Sequence, residues 1–158
     1  MDAHFEITTA LGAPAEDVWA GAIDPDGINR ELGPWVSMSM PREIGPGMTI
    51  DDVELAVPVG RSWIRFARIP VDYDDLCLVE RGPGLRFLER SKLGSARKWE
   101  HEREVVPTGE STCEITDRVA IELRSPLRAI GGGRVAPRVM RALFTHRHRR
   151  LKERWGAR

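Results

Sequence analysis

Two segments near the carboxyl end, 95–106 and 111–124, alternate between polar and apolar side chains, and this pattern constrains the fold more than any other feature. The odd-numbered positions are mostly apolar, for example Trp99 and Ile115, whereas the even-numbered positions are mostly charged or polar. Successive side chains of a β-strand point to opposite faces of the sheet. The pattern therefore predicts an antiparallel hairpin whose odd-numbered face is buried.

Three polar residues interrupt this apolar face: His101, Arg103 and Asp117. A three-residue loop at 108–110 predicts a register that places His101 opposite Asp117 and Arg103 opposite Ile115, within about 5.5 Å at Cβ. Because a buried charge is costly unless it is paired or hydrated, two interpretations remain open. In one, Asp117 fixes the tautomer of His101 and Arg103 neutralises both, as a structural network. In the other, the three groups orient a ligand in a cavity.

The amino-terminal and middle parts of the chain predict two short helices and further strands. A strand at 4–11 precedes a helix that begins at Pro14 and ends near Asp24, and a second short helix follows at 26–32. Turns rich in glycine and proline, and one turn at Asp72 to Asp75, separate the next segments. These segments are predicted strands at 35–40, 48–57, 61–69, 75–81 and 85–92.

The carboxyl-terminal part predicts a long basic helix. After a loop at 125–134, apolar residues at three-to-four spacing predict an amphipathic helix at 135–155. Residues 118–158 hold 12 lysines and arginines against Glu122 and Glu153, a net charge of +10, and the remaining residues carry −10. This division is unlike that of a uniformly basic DNA-binding protein. It fits a solvated helix face that pairs with acidic strands, or a weak contact with RNA, anionic lipid or an acidic partner.

Composition excludes several classes of protein. With 158 residues and 41% apolar residues, the chain is expected to form one domain over 1–158 with a substantial core. It has no run of about 20 apolar residues and an acidic start, so we expect neither a transmembrane helix nor a signal peptide, and a cytoplasmic location. Cys77 and Cys113 are far apart and are expected to be reduced. The histidines have no metal-ligand spacing, so neither a metal nor a cofactor is predicted.

Several short motifs resemble those of one superfamily. The sequence Ala13-Pro14 to Trp19 is similar to the opening of the first helix in the SRPBCC (START-like, helix-grip) superfamily. Further motifs resemble those of ligand-binding and polyketide cyclase-like members: Trp99-x-His101, Gly109-x-x-Thr112, Thr116-Asp117-x-Val119, Pro126-Leu127 and Phe144-x-x-Arg147. The chain departs from the pattern at His146, where a tyrosine is frequent, and at Arg128, where a glycine is frequent. The segment 45–90 matches the pattern poorly.

The resemblance implies an α+β helix-grip fold. We expect a curved antiparallel sheet of about six or seven strands wrapped around the long carboxyl-terminal helix, with two short helices after the first strand. An internal cavity is implied between the sheet and that helix. Strand alternation and helix phase make the following residues candidates for its lining: Trp35, Trp63, Phe87, Trp99, His101, Arg103, Asp117, Met140 and Phe144.

Three functions follow as expectations. The first is binding of a small hydrophobic or aromatic molecule that carries a polar group. The second is a cyclase or dehydratase-like reaction in the same cavity, with His101 and Asp117 as a general base and Arg103 binding a carbonyl or enolate oxygen. The third is an interaction protein that uses exposed arginines of its last helix, Arg138, Arg141 and Arg149. A monomer or a homodimer is compatible with each of them.

Overall fold

The computed structural model describes residues 2–156. Within these residues the chain forms eight β-strands, four α-helices and one 3₁₀ turn at Ile50–Asp52. The strands are β1 (Ala3–Leu11), β2 (Val36–Met38), β3 (Gly60–Phe66), β4 (Ile69–Leu76), β5 (Leu78–Arg81), β6 (Leu85–Leu93), β7 (Ala96–Gly109) and β8 (Thr112–Leu123). The helices are α1 (Ala15–Ile23), α2 (Pro25–Leu32), α3 (Ser125–Ala129) and α4 (Gly132–Trp155).

The strands form one curved antiparallel sheet in the order β1-β8-β7-β6-β4-β3-β2, and β5 pairs with β6 beside this path. The long helix α4 packs against β1 and β8, and α2 packs against α4. The helix α1 closes the same side of the sheet through contacts with β6, β7 and β8. This arrangement is the α+β helix-grip fold, as the resemblance implied.

The β7–β8 hairpin buries its odd-numbered face, but its register differs from the prediction by two residues. Arg103 lies opposite Asp117, and His101 lies opposite Val119. The predicted three-residue loop is wrong because pairing continues past a bulge to Gly109, which lies opposite Thr112. A shift by two residues preserves the alternation of faces, so the three polar side chains still point inward.

The middle of the chain contains two further corrections. The predicted strand at 48–57 is instead a loop with the 3₁₀ turn, in which the Asp52 carboxylate accepts a hydrogen bond from the backbone N–H of Thr49 at 2.7 Å. The predicted turn at Asp72 to Asp75 lies inside β4. Inside the sheet, some of these aspartates find partners on a neighbouring strand. Asp75, for example, accepts a hydrogen bond from Arg61 of β3 at 2.8 Å.

The helices follow the sequence pattern closely. Asp24 separates α1 from α2, and its carboxylate caps α2 by accepting a hydrogen bond from the N–H of Gly27 at 3.0 Å. The helix α4 begins at Gly132, three residues earlier than predicted, and the short α3 occupies part of the predicted loop at 125–134. None of the helices within residues 2–156 is long and apolar enough to cross a membrane.

The close approach of α1 and α2 generates a stability prediction. A Cβ atom added at Gly27 would lie 1.9 Å from the carbonyl oxygen of Gly21, so a side chain there must push the two helices apart. We expect Gly27→Ala to lower the free energy of unfolding by about 1–3 kcal/mol or more, as measured by urea denaturation.

Gly133→Ala is the matched control. Gly133 also lies in the first turn of a helix, but a Cβ there meets only Asp2 Oδ1 at 3.6 Å. This variant should be as stable as the wild type or slightly more stable. Equal destabilisation by both substitutions would contradict the proposed role of the helix contact.

Candidate functional site

A cavity of about 390 Å³ lies between the sheet and α4. Its wall includes residues of β3, β4, β6, β7 and β8 on one side and of α1, α2 and α4 on the other. Most of the lining side chains are apolar, for example Leu76, Phe87, Trp99, Met140 and Phe144. The curvature of the sheet thus leaves a space that the core side chains do not fill.

The cavity opens between the β3–β4 hairpin and the middle of α4. Phe66, Val71 and Val139 all belong to its lining, and all three are more than half exposed to solvent. Large exposed apolar side chains at the rim of a cavity are typical of a ligand entrance. These three residues therefore mark the opening.

His101 stands among aromatic rings in the cavity wall. The centroid of its imidazole lies 5.1 Å from the ring of Phe144, 5.5 Å from that of Phe87 and 6.2 Å from that of Trp99. The first two pairs are edge-to-face, an arrangement that the ring quadrupoles favour. One wall of the cavity therefore consists of aromatic side chains that surround the imidazole of His101.

Behind the cavity wall, Asp117 holds three basic side chains. Its Oδ1 accepts hydrogen bonds from His101 Nε2 at 2.7 Å and from Arg103 Nε at 2.8 Å. Its Oδ2 accepts from Arg103 Nη2 at 2.7 Å and from His148 Nε2 at 2.9 Å. Both carboxylate oxygens are thus fully used within the protein.

Glu31 extends this network into the helices. Its carboxylate accepts hydrogen bonds from Arg103 Nη1 at 2.9 Å and from Arg147 Nη2 at 2.8 Å. Arg103 therefore uses Nε and both terminal nitrogens on the two carboxylates and has 0% exposure. The network connects β7 and β8 to α2 through Glu31, and to α4 through Arg147 and His148.

The pKa values of the central pair reflect this pairing. Burial disfavours the charged form of Asp117, but the charge of Arg103 and its hydrogen bonds outweigh burial and hold the pKa of Asp117 well below its ordinary value. Burial also opposes the charge of Arg103, yet Asp117 and Glu31 raise the pKa of its guanidinium. Both groups are therefore ionised at neutral pH.

A second polar cluster lies in the cavity wall on β3, β4 and β6. Glu89 accepts a hydrogen bond from Ser91 Oγ at 2.6 Å, and its Oε2 lies 3.8 Å from His101 Nδ1. Burial would raise the pKa of Glu89, but the hydrogen bond and charge of His101 lower it. Burial and the neighbouring Glu89 raise the pKa of Asp74 well above its ordinary value. Asp74 therefore keeps its proton to a higher pH than Glu89 does.

Comparison with known families identifies the chain. Residues 9–155 match the sequence profile of a family described as "Domain of unknown function (DUF8410)". The chain belongs to the DUF8410 family. No curated protein matches the sequence.

Solved structures establish the fold of this DUF8410 member. A START superfamily protein from Mycobacterium smegmatis superposes with a TM-score of 0.68 at 12% identity, over 96% of each chain. Protein CV1439 from Chromobacterium violaceum gives a TM-score of 0.68 at 13% identity, over 99% of each chain. The di-domain ARO/CYC protein StfQ from the steffimycin biosynthetic pathway gives 0.62 at 13% identity, over 95% of this chain and 50% of StfQ. The fold is therefore START-like, as the motifs indicated.

The sequence-predicted site residues occupy three different environments. Phe87, Trp99, His101, Met140 and Phe144 line the cavity together. The remaining four lie elsewhere: Arg103 and Asp117 are buried behind the lining, and Trp35 and Trp63 face solvent with exposures of 64% and 41%.

Strand alternation explains the position of Trp63. Its neighbour Ser62 points into the cavity, so Trp63 points to the outer face, where its ring packs edge-to-face on Tyr73 at 5.7 Å. Trp35 directly precedes the short β2 and is not held in the sheet.

Sequence reasoning missed Glu31, Asp74, Glu89 and His148. Glu31 was missed because its partners Arg103 and Arg147 lie far away in the chain. His148 lies one turn beyond Phe144 on α4, so helix phase places it on the buried face. Asp74 was missed because its aspartate-rich surroundings were interpreted as a turn.

The buried network generates a second prediction. Arg103→Met removes the cation that Asp117 and Glu31 share, and we expect it to lower the free energy of unfolding by about 3–5 kcal/mol at neutral pH. The contribution of Asp117 is complete above the ordinary aspartate pKa of about 3.9 and is lost as pH falls through its lowered pKa. The difference between variant and wild type in urea denaturation should therefore shrink below about pH 4.

Arg90→Met is the control for this substitution. Arg90 donates a hydrogen bond to Glu100 at 2.9 Å, and this pair is exposed. Its loss should change the free energy of unfolding by no more than about 1 kcal/mol. A similar small effect for Arg103→Met would show that the buried network does not hold the fold together.

Proposed function

We propose that the cavity binds a small hydrophobic or aromatic molecule that carries a polar group. The observation that carries this proposal is a cavity of about 390 Å³ with a mostly apolar lining and a few buried polar side chains. Pockets for small ligands typically have volumes of about 300–1,000 Å³ and combine an apolar lining with a few polar groups that fix orientation. The opening at Phe66, Val71 and Val139 gives such a molecule a route from solvent.

The polar network favours binding over the cyclase-like reaction. That reaction needs Arg103 to reach a substrate oxygen, but Asp117 and Glu31 use its Nε and both terminal nitrogens, and Arg103 does not line the cavity. Of the three candidate catalytic residues only His101 faces the cavity. StfQ is described as an ARO/CYC protein, and its likeness to this chain extends to the fold alone.

The basic helix supports the interaction-protein alternative less well. Arg147 is buried in the network, Arg150 donates hydrogen bonds to the carbonyl of Arg30 and to Glu153, and Arg141 lies over the ring of Phe5 at 5.0 Å. Part of the positive charge of α4 thus serves contacts within the chain.

The proposal is tested first on the protein as purified from cells. Native mass spectrometry should reveal a co-purifying small molecule, or the emptied protein should bind a simple aromatic probe such as 2-naphthylmethanol in calorimetry. Ligand binding to the folded state alone should also raise the unfolding midpoint. A protein that carries no small molecule and binds no aromatic probe would contradict the proposal.

A substitution that fills the cavity gives a sharper prediction. Met140 is half-buried and lines the cavity, so Met140→Trp should weaken 2-naphthylmethanol binding about tenfold or more, the equivalent of about 1.4 kcal/mol. Val135→Trp is the control, because Val135 lies on the same helix, is exposed, and does not line the cavity. Unchanged affinity in both variants would place the probe somewhere other than the cavity.

A further inference from the structure

Three polar residues of the cavity wall lie on adjacent strands of the sheet. Ser62 of β3 is directly opposite Asp74 of β4, and both line the cavity with exposures of only 1% and 4%. Glu89 of β6 is also buried and lines the same cavity, and it acts on Asp74 through its charge and a side-chain hydrogen bond. These three side chains form the acidic end of the cavity, whose other walls are largely apolar.

Asp74 differs from the other buried acids in its partners. Glu31 is held by two arginines, Asp117 by one arginine and two histidines, and Glu89 lies 3.8 Å from His101 Nδ1. Within residues 2–156, no basic side chain approaches Asp74 to 4.0 Å. Asp74 is therefore the buried acid of this wall that lacks a cation.

Two atoms at this place also lack hydrogen bonds. Asp74 Oδ1 and Ser62 Oγ are buried and have no hydrogen-bond partner among the residues that the structure describes. The third such atom, Asp51 Oδ1, lies 3.3 Å from Arg81 Nε and so has a charged neighbour. Buried polar atoms are nearly always partnered, and exceptions in a cavity wall point to a ligand that supplies the partner.

We propose that Ser62, Asp74 and Glu89 form the subsite for a protonated amine nitrogen of the ligand. Its N–H groups donate hydrogen bonds to Asp74 and Ser62, and its apolar body lies against the aromatic side chains of the same cavity. This inference rests on the proposed function and specifies the polar group of the ligand. An ammonium group supplies the cation that Asp74 lacks. Its N–H groups also donate the hydrogen bonds that Ser62 Oγ and Asp74 Oδ1 do not otherwise accept.

The charges around the subsite favour a cation over an anion. Besides Asp74, the charged and titratable residues that line the cavity are Arg65 of β3, Asp72 of β4, Glu89 of β6, His101 of β7 and Arg147 of α4. Glu31 neutralises Arg147, and Asp72 accepts hydrogen bonds from Ser95. A ligand carboxylate at Ser62 would face the ionised Glu89, and like charges in the interior repel.

Proton linkage gives the subsite a distinctive signature. Burial, together with the charge and hydrogen bond of Glu89, raises the pKa of Asp74, so the empty protein keeps a proton there to a higher pH than an exposed aspartate does. An ammonium group stabilises the ionised carboxylate, so amine binding should release this proton, and the affinity for the amine should rise with pH through the raised pKa of Asp74. A neutral alcohol does not favour the ionised carboxylate, so its affinity should stay nearly constant over the same pH range.

The test uses isothermal titration calorimetry with the full chain. It compares three probes that share the same naphthalene ring and differ in their polar group. These are 2-naphthylmethylamine, 2-naphthylmethanol and 2-naphthoate. The amine should bind about tenfold or more tightly than the alcohol at about pH 8, and the carboxylate should bind most weakly. Buffers of different ionisation enthalpy should report proton release on binding of the amine but not of the alcohol.

Two aspartate variants locate the effect. Asp74→Asn keeps the shape of the side chain and should abolish the preference for the amine and its pH dependence, while alcohol binding is retained. Asp75→Asn is the matched control, because Asp75 is adjacent in β4, pairs with Arg61 and does not line the cavity. It should preserve the preference. Retained alcohol binding also shows that each variant is folded.

The outcomes separate this inference from the proposed function. If amine and alcohol bind equally, or if Asp74→Asn keeps the preference, the subsite is wrong while the cavity remains a binding site. If no probe of the series binds the wild-type protein, the proposed function fails and the subsite fails with it. Tight binding of the carboxylate would likewise overturn the assignment of a cationic ligand.

Discussion

The guanidinium of Arg103 is enclosed in the protein with no solvent contact, and its pairing with two carboxylates determines how the helices lie on the sheet. A buried charge must be neutralised where it lies, and here Asp117 of the neighbouring strand and Glu31 of α2 share that role. Since Glu31 also binds Arg147 of α4, the same charge fixes both helices relative to the sheet. Directional hydrogen bonds set these distances more strictly than apolar packing alone would.

This anchoring explains how an unfilled space persists inside the fold. One core cluster contains Leu11, Val18 and Leu151, and a second contains Phe5, Val119 and Phe144. The cavity draws its lining from both clusters and therefore separates them. Apolar side chains alone would gain free energy by closing the gap. Because the network fixes α4 against the sheet, the two clusters remain apart and the cavity stays open.

The sequence predicted well those features that depend on periodicity and poorly those that depend on distant partners. Alternation gave the inward face of β7 and β8, and helical spacing gave α4, because both are local properties. The register was wrong by two residues because a bulge near Gly109 is not encoded in the alternation. The segment 48–57 was assigned to a strand although a capping interaction at Thr49 turns it. Glu31 acts through residues far away in the chain, so no local pattern could reveal its role.

The carboxylate of Glu31 has a consequence for how this family can diverge. It neutralises Arg103 and Arg147, which lie 72 and 116 positions further along the chain. Loss of Glu31 alone would leave Arg147 without its carboxylate partner and Arg103 with Asp117 alone. The three positions therefore depend on one another. A relative that lacks the glutamate is expected to lack both arginines as well, and alignments of relatives should show the three positions covarying.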